Sequence, residues 1–302
     1  MSRGSERLAA GQPVGAAALS RAMTEARRTL DVTPGLDEHQ LWLEFAKPLL
    51  AGAHPNVRDI CEYGFTEMVN NVIDHSGSPE LTLAIDAGQR IGIRVFDSGV
   101  GIFSKIRDSL GLDSEHSAAL ELAKGRVTTD PERHTGEGIF FTARMFDSFV
   151  LISGEIAFHF RAGQRDWWFE DRESRSTGTI VVMEIEQDSP RSTRQVFDQF
   201  ASPEGGYQFD TTVINIRLFG EGGPLVSRSQ AKRIISRVED FRTVILDFEG
   251  VEEIGPAFAD EIFRVFGRSH PEIQLLPINA SSNVNQMIVR ALNRNGEQGR
   301  PA

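Results

Sequence analysis

The last third of the sequence alternates between strand-like and helix-like runs, and this alternation constrains the fold more than any other feature. Between residues 211 and 292, the apolar runs TTVINIRLF, TVILDFEGV and EIQLLPI are each followed by a segment whose apolar residues have helical spacing. The run TVILDF is apolar throughout, which is typical of a strand covered on both faces. The pattern predicts a βαβαβα unit built on a parallel sheet.

The length of the chain predicts a second domain before this unit. The chain has 302 residues, and at about 150 residues per domain this gives two domains. We place an N-terminal arm at residues 1–35, a mixed α/β domain at 36–200, a linker at 201–210, the βαβαβα domain at 211–292 and a disordered tail at 293–302.

The net charge argues against a general affinity for polyanions. The 32 Lys and Arg residues stand against 43 Asp and Glu residues, a formal charge of −11, which repels nucleic acid unless the arm supplies a local basic patch. The longest apolar runs fall short of the roughly 18 residues that cross a bilayer. The N-terminus lacks the apolar segment and cleavage site of an export signal. We therefore expect a cytoplasmic protein with no membrane partner.

One predicted helix, DICEYGFTEMVNNVIDHS, combines an apolar face with a polar stripe. Glu67, Asn71 and Asp74 follow one another at i, i+4 and i+7, so a regular helix stacks them on one side. This stripe fits either a ligand site or an ordinary solvated helix face. Cys61, on the same helix, is the chain's single cysteine and fits a core position.

Three glycine-containing motifs follow this helix. The alternating runs ELTLAID and RIGIRVFD predict a β-hairpin that ends in the turn DSGVG. The segment HTGEGIFF predicts a helix that opens on glycines, whose backbone N–H groups fit either a phosphate group or an ordinary cap. The motif STGT opens a later strand. Taken singly, each motif has a structural explanation as a turn or a cap.

The order and spacing of the four motifs resemble those of the GHKL superfamily of ATP-binding domains, which includes histidine kinases, anti-sigma serine kinases and type II topoisomerase ATPase subunits. The resemblance covers residues 36–186, with TEMVNNVIDHS as the N box, DSGVG and HTGEGIFF as the glycine boxes and STGT as the last motif. It implies a two-layer α/β sandwich of the Bergerat type that binds ATP and Mg²⁺.

The resemblance gives each polar residue a role. Asn71 offers an amide oxygen to Mg²⁺, an ion that prefers oxygen ligands. Glu67 is the implied catalytic base, which deprotonates a water or a protein hydroxyl that attacks the γ-phosphate. Asp97 accepts a hydrogen bond from the adenine amino group, which favours ATP over GTP. Asp74 has an implied supporting role.

Small residues are assigned to the two ends of the nucleotide. Gly99 and Gly101 let the backbone approach the purine, and Thr179 holds that end through water. The residues assigned to the phosphates are Thr135, Gly136 and Gly138.

Residues 102–135 correspond to the ATP lid of the family. They contain two helical pieces, the second opening near Ser114 and ending at Gly125. Five polar side chains of this region are close enough in sequence to serve the phosphates, and the choice among them stays open. They are Lys124, Arg126, Arg133, His134 and Thr135.

The fragment VILDFEGVEEIGPAFADEIF resembles STAS domains, and most closely the STAS-like module fused behind GHKL domains in bacteria. Where a phosphorylatable serine follows an aspartate in that family, this chain has Gly255, Pro256 and Ala257. The polar residues of this domain form no convergent set, so we expect a docking module for a protein partner rather than a catalytic domain.

Three functions remain open at this point. The first is an ATP-binding signalling protein that hydrolyses ATP or phosphorylates a protein serine or threonine, coupled to the STAS-like domain. The second is a DNA-linked transcription regulator, because AAGQPVGAAALSRAM resembles part of a helix-turn-helix with TEARRTL as recognition helix. The third is an interaction module that binds ATP without turnover. The oligomeric state also stays open, with a homodimer as one alternative.

Overall fold

The fold is mixed α/β and contains two sheets. The structure is a computed structural model, and it describes residues 25–129, 135–162, 166–202, 206, 208–220 and 223–297. An antiparallel sheet of five strands has the order β1-β2-β3-β5-β4, and a parallel sheet of three strands has the order β6-β7-β8. Within the described residues, no helix combines the length and apolarity needed to cross a membrane.

The first domain contains five strands and six helices among the described residues. The strands are β1 Ala26–Asp31, β2 Glu80–Ala87, β3 Arg90–Asp97, β4 Ser148–Arg161 and β5 Asp166–Glu186. Helix α1 runs through Glu38–Leu41, a π-helical Trp42–Ala46 and Lys47–Leu49, and the other helices are α2 Pro55–Asn71, α3 Ile102–Leu110, α4 Glu115–Lys124, α5 Gly138–Met145 and α6 Thr193–Asp198.

The end of the predicted arm is a strand of the sheet. Strand β1 pairs with β2 along its whole length, with Ala26 opposite Ile85 and Asp31 opposite Glu80, and its burial alternates with a period of two. Because this is strand periodicity, TEARRTL does not form the recognition helix expected of a helix-turn-helix, and that prediction is wrong. Residues 1–24 of the arm lie outside the described residues.

The helices of the first domain pack on the sheet. Helix α2 contacts β3 and β5, while α5 contacts both β4 and α2. Side chains on the inner face of α2, such as Phe65 and Val69, are fully buried. This packing leaves the polar stripe of α2 beside the start of α5.

The second domain has the predicted order of strands and helices. Its elements are β6 Thr211–Asn215 with a 3₁₀ turn Ile216–Gly220, α7 Arg228–Ile234, β7 Thr243–Asp247, α8 formed by Pro256–Ala259, a π-helical Asp260–Phe266 and Gly267–Ser269, β8 Gln274–Ile278 and α9 Ser282–Glu297. The predicted strand TTVINIRLF ends early, because its second half forms the 3₁₀ turn.

Helix α9 corrects the predicted tail. It runs to Glu297, so residues 293–297 are helical rather than disordered, and residues 298–302 lie outside the described residues. Val284, Ile288 and Ala291 are buried at i, i+4 and i+7 and anchor the helix. Once a helix is anchored, each added residue gains a hydrogen bond without a new nucleation cost.

The two domains share one apolar core, and Phe209 lies at its junction. The Phe209 ring lies 4.6 Å from the Phe140 ring, 4.9 Å from that of Phe141 and 5.1 Å from that of Phe241, measured between centroids. Its side chain is only 5% exposed. Phe209 falls within the segment predicted as a linker, and there it joins α5 to the second domain.

The replacement Phe209→Ala should lower the free energy of unfolding by about 3–5 kcal/mol, because it leaves a cavity between the two domains. Urea denaturation measures this loss. Val289→Ala is the control, since Val289 is 52% exposed, and it should change stability by less than about 0.5 kcal/mol. A loss at Phe209 no larger than that of the control would contradict a shared core.

Candidate functional site

One cavity collects residues from all four motifs of the first domain. Its volume is about 260 Å³. The predicted site residues that line it are Glu67, Asn71, Asp97, Gly101, Thr135, Gly136, Gly138 and Thr179. Asp74 and Gly99 are not among its lining residues. The chain therefore brings into one space motifs that are separated by up to about a hundred residues.

Helix α2 ends in a π-helical turn, Val72–Ser76, which presents backbone carbonyl groups to the loop after β3. The amide N–H of Val100 donates to Ser76 O at 3.0 Å, and Lys105 Nζ donates to His75 O at 2.7 Å. The π turn carries more residues per turn than an α-helix. Asp74 lies within this π-helical turn and is not among the residues that line the cavity, so its supporting role at the nucleotide stays a prediction.

Gly99 packs against the end of helix α2 rather than against the cavity. A methyl group at Gly99 would lie 2.1 Å from Ser76 O, so no larger residue fits without moving the backbone. Gly99 does not line the cavity, and its predicted approach to a purine stays a prediction. Its function is to seat the loop on the helix, and Gly101, two residues later, lines the cavity.

Asp97 lies at the end of β3, at the apolar end of the cavity. Its Oδ1 accepts a hydrogen bond from the Gly99 amide at 2.8 Å, and Thr179 donates to the same carboxylate. Burial raises the pKa of Asp97, and the hydrogen bonds from Gly99 and Thr179 oppose this rise. The aliphatic side chains that line the cavity with it belong to Val72, Val95, Ile106, Leu151 and Val181. An oriented carboxylate thus faces an apolar space.

A second part of the cavity wall is formed by the start of α5. Gly136, Glu137 and Gly138 line it, and the first turn of the helix has no side-chain cap. A methyl group at Gly138 would lie 2.0 Å from Glu67 Oε2. The glycine thus leaves room for the Glu67 carboxylate at the positive end of the helix dipole.

Two carboxylates share this part of the cavity. Burial raises the pKa of Glu67, and the negative charges of Glu137 and Glu38 raise it further. Burial also raises the pKa of Glu137, whereas the positive charge of Arg126 opposes that rise. Among the described residues, no group of three or more His, Cys, Asp and Glu side chains forms a metal site by itself.

The predicted lid residues are divided between two places. Thr135 lines the cavity. Lys124 and Arg126 do not line it, because their side chains bind the second domain. For these two residues the expected role at the phosphates is wrong, since their sequence position alone did not indicate which face of the lid they occupy. Arg133 and His134 lie outside the described residues.

Sequence reasoning missed several residues of the cavity. Lys105, Glu137, His75 and the backbone segment 127–129 line it. Lys105 lies one helical turn after Gly101, so its position next to the first glycine box was a usable signal. Residues 127–129 fall within the predicted lid, but no side chain singled them out, since their place in the cavity depends on the packing of Val127 against Gly136.

The match to a known family lies in the second domain. A family model described as a STAS-like domain of unknown function (DUF4325) matches residues 230–285. These residues form a STAS-like domain. The match runs from α7 to the first turn of α9, and it leaves residues 36–200 outside. No curated protein shows significant similarity to the chain.

The buried carboxylate of Glu67 predicts a pH-dependent stability. Because folding raises the pKa of Glu67, the folded chain holds the carboxyl proton more tightly than the unfolded chain does. The free energy of unfolding therefore falls as pH rises above the ordinary pKa of glutamate. Glu67→Gln removes this loss. At pH 8 its melting temperature should exceed that of the wild type by about 2–4 °C, and the difference should shrink towards pH 4.

Thermal unfolding between pH 4 and 8 measures this effect. Asp59→Asn is the matched control, because Asp59 is an exposed carboxylate on the same helix, and it should shift the curve by the same small amount at every pH. Among the residues that the structure describes, the titratable groups that interact with Glu67 include Glu38, Glu137 and Tyr63. A Glu67→Gln curve parallel to the wild-type curve would contradict the assignment.

Proposed function

We propose that the first domain is a GHKL-type nucleotide-binding domain that binds Mg-ATP, and that the chain is a signalling ATPase or protein serine/threonine kinase coupled to its STAS-like domain. The observation that supports this most is the meeting of the N box, both glycine boxes and the STGT motif in one cavity. Nothing in the packing of a mixed α/β fold alone requires these four motifs to converge.

The apolar end of the cavity supports an adenine base. A flat heterocycle gains from the aliphatic walls, and the half-buried Asp97 carboxylate favours a ligand that donates a further hydrogen bond to it. The exocyclic amino group of adenine is such a donor, whereas guanine presents a carbonyl oxygen at the same position. Because Gly99 and Thr179 hold the carboxylate in place, the site should discriminate between the two purines.

The other end supports a triphosphate with a divalent cation. The uncapped first turn of α5 offers backbone N–H groups to an anion, but Glu67 and Glu137 would repel phosphates. A magnesium ion neutralises this repulsion when it is bound. Asn71 is the residue that would hold it, since Mg²⁺ takes few protein oxygens and fills its other positions with phosphate and water.

Glu67 is the proposed base. It lies one turn before Asn71 on α2, and its carboxylate rests at the start of α5. Its raised pKa brings its affinity for a proton closer to that of an effective base at neutral pH. It would accept the proton from a water or from a protein hydroxyl aimed at the γ-phosphate.

The alternative functions have less support. The DNA-linked regulator loses its proposed recognition helix, because Ala26–Asp31 form strand β1. The non-catalytic ATP-binding module uses the same cavity and differs only in turnover. A turnover measurement therefore separates it from the ATPase and the kinase.

Binding selectivity can be measured by thermal shift. Mg-ATP should raise the melting temperature and Mg-GTP should not, because only adenine donates a hydrogen bond to Asp97. Asn71→Ala should abolish the shift through loss of the metal ligand. Asp59→Ala is the control on the same helix, and it should keep the full shift because Asp59 is exposed and does not line the cavity. An equal shift with GTP would overturn the adenine assignment.

Turnover can be tested with radiolabelled ATP, which distinguishes hydrolysis, transfer to a protein and binding alone. Glu67→Gln should lower the rate about 10²-fold or more while it preserves nucleotide affinity within a few-fold, because a general base contributes at this level. Gly138→Ala should also lower the rate, since the added methyl displaces the Glu67 carboxylate. Turnover unchanged in both variants would remove Glu67 as base.

A further inference from the structure

The segment that follows α4 belongs both to the cavity and to the domain interface. Residues 127–129 line the cavity, and the residue immediately before them, Arg126, is held by the second domain. Arg126 Nη1 donates to Asp240 O at 2.8 Å, and Nη2 donates to Phe209 O. Its guanidinium also lies 5.2 Å from the Phe241 ring centroid. A single peptide bond therefore separates the contacts of the second domain from the wall of the cavity.

Helix α4 is a wall shared by the cavity and the second domain. Leu122 lines the cavity, while Lys124, only 2% exposed, points the other way. Lys124 Nζ donates to Glu121 Oε1 at 2.8 Å and to the carbonyl oxygens of Arg233 at 3.0 Å and Ser236 at 2.9 Å. A buried ammonium group is stable only when it is paired in this way. Helix α4 is thus fixed to α7 and the turn that follows it.

The contacts of Arg126 also reach the carboxylates of the cavity. Its Nε lies 3.8 Å from Glu137 Oε1. The backbone of Val127 packs on Gly136, where a methyl group would lie 2.5–2.7 Å from it. Arg126 itself has a φ of 55°, a left-handed conformation that costs free energy in a residue other than glycine and persists only where its surroundings impose it.

We propose that the STAS-like domain regulates the nucleotide cavity within the same chain, and that Arg126 is the positioning residue that couples them. The second domain holds Arg126, and Arg126 fixes residues 127–129 against the triphosphate end of the cavity. Nucleotide in turn stabilises these residues and the interface behind them. This coupling rests on the proposed function. Thermodynamic linkage makes it reciprocal: a partner that loosens the interface weakens nucleotide binding by the same factor by which nucleotide weakens the binding of that partner.

The test compares Arg126→Met with Arg191→Met in the full chain. The two arginine side chains are 24% and 26% exposed, and Arg191 also donates to a backbone carbonyl, that of Met145. In the described part of the chain, Arg191 neither lines the cavity nor has a hydrogen bond to the second domain. The two substitutions thus make the same chemical change at similar exposure, but only Arg126→Met removes hydrogen bonds to the second domain.

Two measurements are made on each protein. The first is the Kd of a fluorescent ATP analogue with Mg²⁺, and the second is amide hydrogen exchange of residues 228–241 with and without that analogue. In the wild type and in Arg191→Met, nucleotide should slow exchange in residues 228–241. In Arg126→Met, the Kd should rise about 5-fold or more, and this remote protection should disappear.

Arg126→Lys guards against a variant that fails to fold. Lysine keeps the positive charge opposite Glu137 but cannot donate from one planar group to both carbonyl oxygens. It should therefore recover little of either the affinity or the remote protection, and full recovery of the affinity would show that the charge rather than the positioning sets it. The coupling would be overturned if Arg126→Met had the same Kd and the same exchange pattern as Arg191→Met. If the wild type bound the analogue without remote protection, the coupling alone would fall. If the wild type bound no nucleotide, the proposed function would fall and the coupling with it.

Discussion

The burial of the Glu67 carboxylate beside a second carboxylate is the interaction on which the rest of the site depends. Glu67 lies against the start of α5, and Glu137 adds to its negative surroundings. Burial and the charges of Glu137 and Glu38 both disfavour the charged form of Glu67, whereas the positive charge of Arg126 partly compensates Glu137. Electrostatically unfavourable arrangements of this kind are typical of functional sites, where a bound ligand or cation compensates the charge.

Close packing of backbone on backbone holds this arrangement together. The loop after β3 docks on the π-helical end of α2 through Gly99, and the start of α5 accommodates Glu67 through Gly138. Side chains can adjust to one another by changing rotamer, but backbone contacts cannot. The position of the cavity is therefore set by α2, on which both loops rest, and a shift of this helix would move both ends of the cavity together.

The parts of this architecture that follow from local pattern were predictable, and those decided by tertiary contacts were not. The structure confirms the helix limits at Ser114 and Gly125 and the hairpin that ends at Asp97. Helix caps and strand alternation can be predicted because they depend on residues that are close in the sequence. Strand β1 was missed, since only its pairing with β2 gives ARRTLD an extended conformation. The side chains of Lys124 and Arg126 were misplaced because their partners lie more than 80 residues away in the chain.

The interface also indicates how a signal can reach the cavity. The turn before α8 of the STAS-like domain carries Gly255, and a methyl group at Gly255 would lie 2.7 Å from Val226 Cα. A larger, modified side chain has no space there, so phosphorylation at this turn is an unsuitable input. The contacts of Lys124 and Arg126 with the second domain offer a different route. They respond to any event that moves α7 or the turn after it, and Arg126 is one peptide bond from the cavity wall.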